Sequence, residues 1–254
     1  MNTLMNIFYG KDKNMNKEDF KIELKRKANK LDIELNEKQL EQFYLYKEML
    51  VEWNEKVNLT AITEDEEIID KHFVDSLTIA KFLKENKSII DIGTGAGFPG
   101  IPLQIVNDKH VMTLFDSLQK RLTILDEITN KLQLENITTL HGRAEETFRN
   151  KQYREMFDIA TSRAVANLST LAEYMLPAVK IGGYCICMKG NNVEEEIKTA
   201  EKAISLLGGS VERVEKITLP ETNIQRNIVI IRKEKATPKQ YPRKAGTPLK
   251  DPIH

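Results

Sequence analysis

The chain has 254 residues, of which 41% are hydrophobic and 30% charged, a composition that excludes a disordered chain and allows a buried core. Its 38 Lys and Arg residues balance its 38 Asp and Glu residues, so net charge gives no argument for a nucleic-acid partner. The two cysteines, Cys185 and Cys187, share one predicted strand and the four histidines lie far apart, which argues against a disulfide framework and a metal site.

The longest uncharged run covers residues 92–107, but it contains four glycines and two prolines and therefore does not predict a membrane span. Residues 1–10 lack the basic start and the long apolar run of a signal peptide. We therefore expect a cytoplasmic, monomeric protein without a membrane anchor or a bound metal. Residues 1–15 are expected to be a disordered extension.

Residues 16–86 are predicted to form a helical cap. Asn36 and Gln39 have the spacing of a capping box, and apolar side chains then recur every three or four residues as far as Val57. A second helix is predicted to begin at Thr63, with Glu66 completing another capping box. The acidic run at its start suits the helix dipole and needs no functional explanation.

From residue 87 to residue 232, short apolar runs alternate with helical patterns. The predicted strands cover residues 88–92, 111–115, 137–140, 157–161, 183–188, 211–218 and 227–231. Such alternation is typical of an α/β fold with a Rossmann-like parallel sheet, helices on both faces and ligands at the carboxyl ends of the strands. The last two strands are predicted to form an antiparallel pair at the sheet edge. Residues 233–254 are a basic, proline-containing tail of open role, in which the prolines are expected to prevent regular helix.

A glycine-rich loop follows the first predicted strand, with the sequence Asp91-Ile92-Gly93-Thr94-Gly95-Ala96-Gly97-Phe98-Pro99-Gly100. Glycines are needed where the backbone turns sharply or a ligand approaches it closely. The loop fits two cofactor classes, since its glycines match a dinucleotide site, whereas the acid Asp91 two residues before Gly93 is typical of an S-adenosylmethionine site.

Three further positions follow predicted strands. Asp116 lies 19 residues after Gly97, a spacing at which an acid accepts hydrogen bonds from a ribose diol in both cofactor classes. Glu145, in the segment Gly142-Arg143-Ala144-Glu145-Glu146, is a candidate acceptor for an adenine amino group, with the Ala144 backbone N–H as a partner for a ring nitrogen. Arg163 is a candidate contact to cofactor or substrate.

Motifs in a consistent order give the chain a family resemblance. They are Trp53-Asn54, Asn58-Leu59-Thr60-Ala61-Ile62, His72-Phe73-Val74-Asp75-Ser76-Leu77, the loop from Asp91 to Pro102, Asp116-Ser117 with Lys120-Arg121, Arg143-Ala144-Glu145, and Ser162-Arg163-Ala164. Together they resemble the RsmG (GidB) family, bacterial methyltransferases that act on N7 of a guanine in small-subunit (16S) ribosomal RNA. The resemblance runs from about residue 16 to residue 231.

The resemblance implies a class I methyltransferase fold, S-adenosylmethionine as cofactor, and ribosomal RNA or a ribosomal subunit as partner. It implies cofactor contacts at Gly93, Phe98, Ala144, Glu145 and Arg163. Together with positions from the glycine loop and the second strand end, the predicted cofactor set also includes Asp91, Gly95, Gly97 and Asp116.

Guanine N7 carries a lone pair and no proton, so its methylation needs no general base. Well-oriented placement lowers a barrier by about 7–11 kcal/mol, and we therefore predict in-line transfer by positioning, without a catalytic side chain. Candidate RNA contacts are Lys120, Arg121, Arg163 and Lys189, with the basic run 25–27 and the tail as further phosphate binders. The neutral net charge predicts few phosphate contacts.

Three alternatives remain open from the sequence. A nicotinamide-dependent oxidoreductase would use the same glycine loop, although Asp91 and the antiparallel final strands weigh against it. A non-catalytic RNA-binding assembly factor would keep the fold, although the intact loop and both acids argue against it. A small-molecule methyltransferase would show no salt-dependent RNA affinity.

Overall fold

The computed structural model describes residues 15–83, 86–191 and 193–254. Within them, a helical N-terminal segment precedes a seven-stranded sheet with helices on both faces, as the predicted α/β fold with a helical cap requires. Residues 1–14 of the expected extension lie outside the described residues. Met15 is described, and its backbone N–H donates to Asp65 Oδ2 at 2.7 Å.

Two long helices come first in the described residues, α1 over Lys17–Asn29 and α2 over Glu37–Val57. The predicted capping box is confirmed, because Asn36 accepts from the Gln39 backbone N–H while the Gln39 side chain accepts from the Asn36 N–H. The apolar stripe of α2 is buried in a core that it shares with α1 and with one face of the sheet. The cap and the sheet therefore have a common hydrophobic core.

Shorter helical pieces follow α2. They are α3 (Asp65–Ile68), a π-helical segment (Ile69–Val74), α4 (Asp75–Leu77) and a 3-10 turn (Ala80–Phe82). The helix start predicted at Thr63 is wrong, because α3 begins at Asp65. Asp65 is 1% exposed and lies 3.4 Å from the Lys47 ammonium, besides accepting from Met15. Asp65 is therefore an acid that makes buried tertiary contacts, and not a solvated acid that only complements the helix dipole.

The sheet contains β1 (Ser88–Ile92), β2 (Val111–Asp116), β3 (Ile137–His141), β4 (Phe157–Arg163), β5 (Val179–Lys189), β6 (Gly209–Thr218) and β7 (Gln225–Lys233). Their order is β3-β2-β1-β4-β5-β7-β6. The first five strands are parallel, and β7 pairs antiparallel with both β5 and β6. The Rossmann-like sheet and its antiparallel end are therefore confirmed. The strand order reverses between β1 and β4, where ligands bind in such sheets.

The helices of the sheet region are α5 (Gly100–Val106), α6 (Gln119–Lys131), α7 (Ala144–Thr147), α8 (Leu168–Met175) and α9 (Val193–Leu206). Successive strand residues enter two different cores, Ile89 with the cap, α5 and α6, and Ile90 with α7, α8 and α9. Cys185 and Cys187 are buried, unbridged members of the second core, as predicted for apolar strand residues.

The predicted boundaries between α8 and β5 are also wrong. The helix predicted over residues 168–179 ends at Met175, a 3-10 turn covers Leu176–Ala178, and β5 begins at Val179, earlier than predicted. Pro177 explains the change, since proline removes the N–H that a continuing α-helix needs. No helix in the described part of the chain is long and apolar enough to cross a bilayer.

The tail is folded against the α/β domain and ends near the carboxyl edge of the sheet. It contains a single helical turn, α10, over Thr247–Lys250, so the expectation that its prolines exclude regular helix is wrong for this turn. Pro248 lies in the first turn, where a backbone N–H has no partner within the helix and its loss is tolerated.

Candidate active site

A pocket of about 520 Å³ lies at the carboxyl ends of β1, β2, β3 and β4. Parallel sheets bind their ligands at this edge. The pocket is lined by the loops after these strands, by the cap and by the C-terminal segment. Seven of the nine predicted cofactor residues line it: Gly93, Gly95, Phe98, Asp116, Ala144, Glu145 and Arg163. The other two do not line it: Asp91 contacts the loop backbone at Gly100, and Gly97 faces the cap.

The glycine loop has three residues in the left-handed region, with φ of +71° at Gly93, +61° at Gly95 and +97° at Gly97. The Gly93 N–H donates to the Phe115 carbonyl oxygen at 2.8 Å, which ties the loop to the end of β2. A Cβ added to Gly95 would have only the Gly93 carbonyl oxygen within 4 Å, at 3.9 Å. Gly95 therefore leaves space open on the pocket side of the loop.

Asp91 supports the loop from below. Its Oδ2 accepts from the Thr94 hydroxyl at 2.7 Å and from the Gly100 backbone N–H at 2.9 Å. It is 0% exposed, and burial raises its pKa to about 6 despite both hydrogen bonds. A Cβ at Gly100 would lie 3.0 Å from the same oxygen. The structure thus brings Asp91 to the loop backbone rather than to the pocket surface.

Gly97 faces the cap. A Cβ at this position would lie 2.7 Å from the Tyr46 hydroxyl and 2.6 Å from Ile101 Cδ1. Tyr46, on α2, donates a hydrogen bond of 2.6 Å to the Ala96 carbonyl oxygen, and its burial raises its pKa well above the usual value. The cap therefore contacts the loop backbone directly at its apex.

Asp116 ends β2 beside the loop. Its Oδ2 accepts from the Gly95 N–H at 3.1 Å, and its Oδ1 accepts from the Leu118 N–H at 2.9 Å. The Arg121 guanidinium, on the first turns of α6, lies 3.6 Å from Oδ2. Asp116 is thereby fixed at the pocket, where a ribose diol bound at the loop would meet a carboxylate.

Glu145 lies in the first turn of α7 and is 6% exposed. Its Oε1 accepts a hydrogen bond of 2.8 Å from the Gly246 backbone N–H. Gly246 and Leu249 of the C-terminal segment also line the pocket. Tyr174, on α8, completes this end of the pocket, and burial together with the nearby Glu145 raises its pKa to about 12.

Arg163 ends β4 and is held from three directions. Its Nη1 donates to the Lys71 carbonyl oxygen at 2.9 Å and to Asp75 Oδ2 at 3.1 Å. Its guanidinium carbon lies 4.9 Å from the centre of the Phe98 ring. Arg226, on β7, donates to the other Asp75 oxygen at 3.0 Å. The buried Asp75 carboxylate thus links the ends of two strands to the cap.

His72 joins this network as a neutral ring. Its Nδ1 lies 3.3 Å from Arg163 Nη2, and its Nε2 lies 2.8 Å from the Thr60 hydroxyl. Burial, and then the Arg163 charge, lower its pKa to about 3. A guanidinium only donates, so Nδ1 accepts and Nε2–H donates to Thr60. The His72 ring also stacks on Phe98 at 4.4 Å between centroids.

The candidate RNA-binding side chains differ in their exposure and in the hydrogen bonds and ion pairs that they make within the protein. Lys120 is exposed at the start of α6, next to Arg121. Lys189 donates to the Ala166 carbonyl oxygen at 2.8 Å and pairs with Glu196 at 2.6 Å. Lys120 and Arg121 are therefore the most exposed members of the set, and Arg121 also lines the pocket.

Several lining residues lie outside the predicted set. They are Leu59, Thr60, His72, Arg143, Val165, Tyr174, Gly246 and Leu249, among others. Thr60, His72 and Arg143 belong to motifs that carried the family resemblance, so a signal for them existed. Tyr174 and Leu249 come from a helix and from the tail, where no local pattern marks them. Among the described residues, no group of three His, Cys, Asp or Glu side chains is placed to hold a metal ion.

The fold and the site together define the class of protein. A parallel sheet with an antiparallel end, a glycine loop after β1 and acids after β2 and β3 is the arrangement of a Rossmann-like class I methyltransferase. The family model described as rRNA small subunit methyltransferase G (GidB) matches residues 39–229. The chain belongs to this family, and it is a methyltransferase.

Relatives of the same name match nearly the whole chain. Ribosomal RNA small subunit methyltransferase G of Clostridium novyi is 53% identical over 228 residues, which cover 89% of this chain and 94% of the relative. The protein of that name from Alkaliphilus metalliredigens is 49% identical over 235 residues, 92% of this chain and 98% of the relative. The crystal structure of PH0793 from Pyrococcus horikoshii is similar in fold alone, with a TM-score of 0.51, 15% identity and coverage of 64% of this chain and 63% of that chain.

Proposed function

We propose that this protein transfers the methyl group of S-adenosylmethionine to N7 of one guanine in small-subunit (16S) ribosomal RNA. Membership of the rRNA small subunit methyltransferase G family over residues 39–229 is the observation that carries the proposal. The pocket supports it, because the glycine loop and the acids Asp116 and Glu145 line one pocket at the carboxyl edge of the sheet.

The residues present fit S-adenosylmethionine. The open space at Gly95 admits a ligand against the loop backbone. The Asp116 carboxylate would accept from the ribose hydroxyls, and the Glu145 carboxylate with the Ala144 N–H would hold the adenine edge. Phe98, Gly93 and Arg163 would bound the methionine end. When bound there, the cofactor supplies a methyl group on a positively charged sulfur.

The chain's own contribution is to hold the target base and to exclude water. Guanine N7 has no proton to lose, so the reaction needs no general base. His72 suits this mechanism, since its low pKa keeps it neutral and both ring nitrogens are hydrogen bonded within the protein. Alignment alone contributes about 7–11 kcal/mol when reactants are well oriented. We therefore assign positioning roles, and no acid–base role, to the lining side chains.

N7 lies on the major-groove edge of guanine, and this groove is deep and narrow in an RNA helix. The target guanine is therefore a base in a loop or one that is splayed out on binding. We assign the phosphates of such a segment to Lys120, which is exposed, and to Arg121, which lines the pocket, with Arg163 and Lys189 as secondary contacts. A monomer is proposed as the active form. A ribosomal RNA substrate supports a cytoplasmic location for the protein.

The proposal is tested by incubating the protein with methyl-labelled S-adenosylmethionine and small ribosomal subunits from a strain that lacks its gene. Labelled RNA is then mapped by its alkali-sensitive cleavage at N7-methylguanine. We expect label on a single guanine of the small-subunit RNA and none on large subunits offered in parallel. Label on an exocyclic amino group, on a ribose or on large-subunit RNA would contradict the proposal.

Two glycine variants provide a matched control for this assay. Gly95→Asp places a carboxylate in the pocket, whereas Gly182→Asp places one at another left-handed glycine, φ +86°, that has no atom within 4 Å of its Cβ and does not line the pocket. We expect loss of labelling with the first variant and labelling at the wild-type level with the second. Equal labelling by both variants would contradict the assignment of the glycine loop to the cofactor site.

A further inference from the structure

The C-terminal segment, residues 237–251, is bound by side chains of the α/β domain. Arg154 donates to the carbonyl oxygens of Thr237 and Tyr241, at 2.6 and 2.8 Å. Arg149 donates to the Pro242 carbonyl oxygen at 2.8 Å. Because these bonds go to backbone carbonyls, they fix the path of the segment rather than one of its side chains.

The central attachment of the segment is the pair of Arg243 and Glu173. Glu173, on α8, is 0% exposed. Its Oε1 accepts from the Arg243 backbone N–H at 2.6 Å, and its Oε2 accepts from the guanidinium at 2.8 Å. A buried carboxylate that binds both the backbone and the side chain of one residue is a strong anchor, since an unpaired charge at that depth costs several kcal/mol.

Beyond this anchor the segment reaches the pocket. Gly246 turns with φ +79° and donates to Glu145 Oε1 at 2.8 Å. Thr170, on α8, donates to the Pro248 carbonyl oxygen at 2.9 Å. Leu249 lines the pocket although it is 62% exposed. An exposed leucine at the mouth of a pocket offers an apolar surface on which a planar ligand can pack.

We propose that residues 243–249 complete the adenine end of the methyl-donor pocket and set its choice of purine. The inference rests on the proposed function. Leu249 packs on the face of the adenine ring, and the Gly246 N–H holds Glu145 so that Oε2 accepts from the adenine amino group. Arg243 acts through this segment and is a positioning residue. The family match ends at residue 229, so it assigns no role to this part of the chain.

A carboxylate held in this way distinguishes purines by their 6-substituent. The 6-amino group of adenine donates to it, whereas the 6-oxo group of hypoxanthine presents an oxygen and is repelled. If the segment were released, Glu145 would lose its partner and turn towards solvent. Discrimination between the two bases would then weaken together with affinity. A segment that only stabilised the fold would change neither property in a protein that remains folded.

The experiment is isothermal titration of full-length proteins with S-adenosylhomocysteine and with S-inosylhomocysteine, the matched 6-oxo ligand. The variants are Leu249→Ala, Arg243→Ala and Arg243→Lys. Ile181→Ala is the control, because Ile181 is 60% exposed, like Leu249, but does not line the pocket. Melting curves establish that each protein is folded.

We expect the wild-type protein and the Ile181 variant to prefer the adenosyl ligand. Leu249→Ala should weaken both ligands by about three- to tenfold, the scale of lost apolar contact, and leave their ratio unchanged. Arg243→Ala should weaken the adenosyl ligand and bring the ratio towards one, and Arg243→Lys should restore part of the preference.

Wild-type affinity and ratio in both Leu249→Ala and Arg243→Ala would overturn the inference while leaving the cofactor site intact. If Arg243→Ala does not fold, unchanged binding by Leu249→Ala alone overturns it. Failure of the wild-type protein to bind S-adenosylhomocysteine is a different result. It would remove the cofactor assignment, and with it the adenine end on which the inference rests.

Discussion

The Tyr46 hydroxyl donates a hydrogen bond of 2.6 Å to the Ala96 carbonyl oxygen, so a helix of the cap determines where the glycine loop lies. The two residues are 50 positions apart and both are buried. The Tyr46 ring also packs on Phe98, with centroids 5.4 Å apart. The N-terminal helices thereby contribute to the proposed cofactor site, because they contact the glycine loop to which cofactor binding is assigned.

Replacing Tyr46 by Phe should loosen this loop. The Ala96 carbonyl oxygen would lose its partner in a buried environment, which costs about 1–3 kcal/mol. We expect a lower free energy of unfolding by urea and a several-fold weaker S-adenosylhomocysteine affinity by titration. Tyr44→Phe is the matched control, since Tyr44 lies on the same helix but packs on Phe20, and its affinity should equal that of the wild-type protein. Equal affinity in both variants would contradict the role given to Tyr46.

Gly95→Asp should abolish cofactor binding and spare the fold. The added side chain enters open space and occupies the site. Its charge also lies close to the Asp116 carboxylate, so we expect the cofactor affinity to fall by roughly a hundredfold or more. Gly182→Asp carries the same left-handed strain, about 1–3 kcal/mol, without touching the pocket. Titration and thermal melting of the two variants separate the effects. A wild-type cofactor affinity in Gly95→Asp would contradict the assignment of the glycine loop to the cofactor site.

Asp116→Ala should weaken S-adenosylmethionine by about 1.5–3 kcal/mol, the scale of a hydrogen bond to a charged group. The carboxylate also accepts from the Gly95 N–H, so part of this loss reflects a looser loop. Asp158→Ala is a suitable control, because Asp158 binds Ser88 at the opposite, amino end of the strands. An unchanged dissociation constant in Asp116→Ala would refute the ribose role.

His72 should make the protein less stable in acid. Its pKa is about 3 in the folded protein and near 6.5 when unfolded, so the unfolded chain binds one more proton between these values. Its contribution to stability is complete above pH about 6.5 and is lost as the pH falls towards 3, by at most about 1.4 kcal/mol per pH unit. Asp91 acts in the opposite sense, because its pKa is raised to about 6 and the folded state gains stability on protonation.

The two effects separate in a comparison of the wild-type protein with His72→Gln. Urea unfolding is measured between pH about 4 and 8. The wild-type stability minus that of the variant should be constant above pH about 7.5 and should decrease as the pH falls below about 6. A difference that stays constant down to pH about 4 would show that His72 is protonated without cost, contrary to its burial beside Arg163.

Local features of the sequence determined the main elements and the glycine loop, whereas the choice between two cofactor classes came from the family resemblance. The Asn36–Gln39 capping box and the apolar runs of the strands need only neighbouring residues, so they appear in the structure close to where they were predicted. The glycine loop and Asp116 follow strands, and parallel strands bring their carboxyl ends to one edge. These residues therefore met at one pocket as predicted.

Contacts between distant segments were decided only by the tertiary structure. The start of α3 at Asp65 depends on Lys47 and Met15, not on a local cap. The tail was predicted from its charge and prolines to be irregular, yet residues 237–251 are folded along the domain. Leu249 and Tyr174 line the pocket without any sequence signal, because their place depends on how α8 and the tail pack. Periodicity and spacing report local conformation, whereas burial and long-range pairing exist only once the chain is folded.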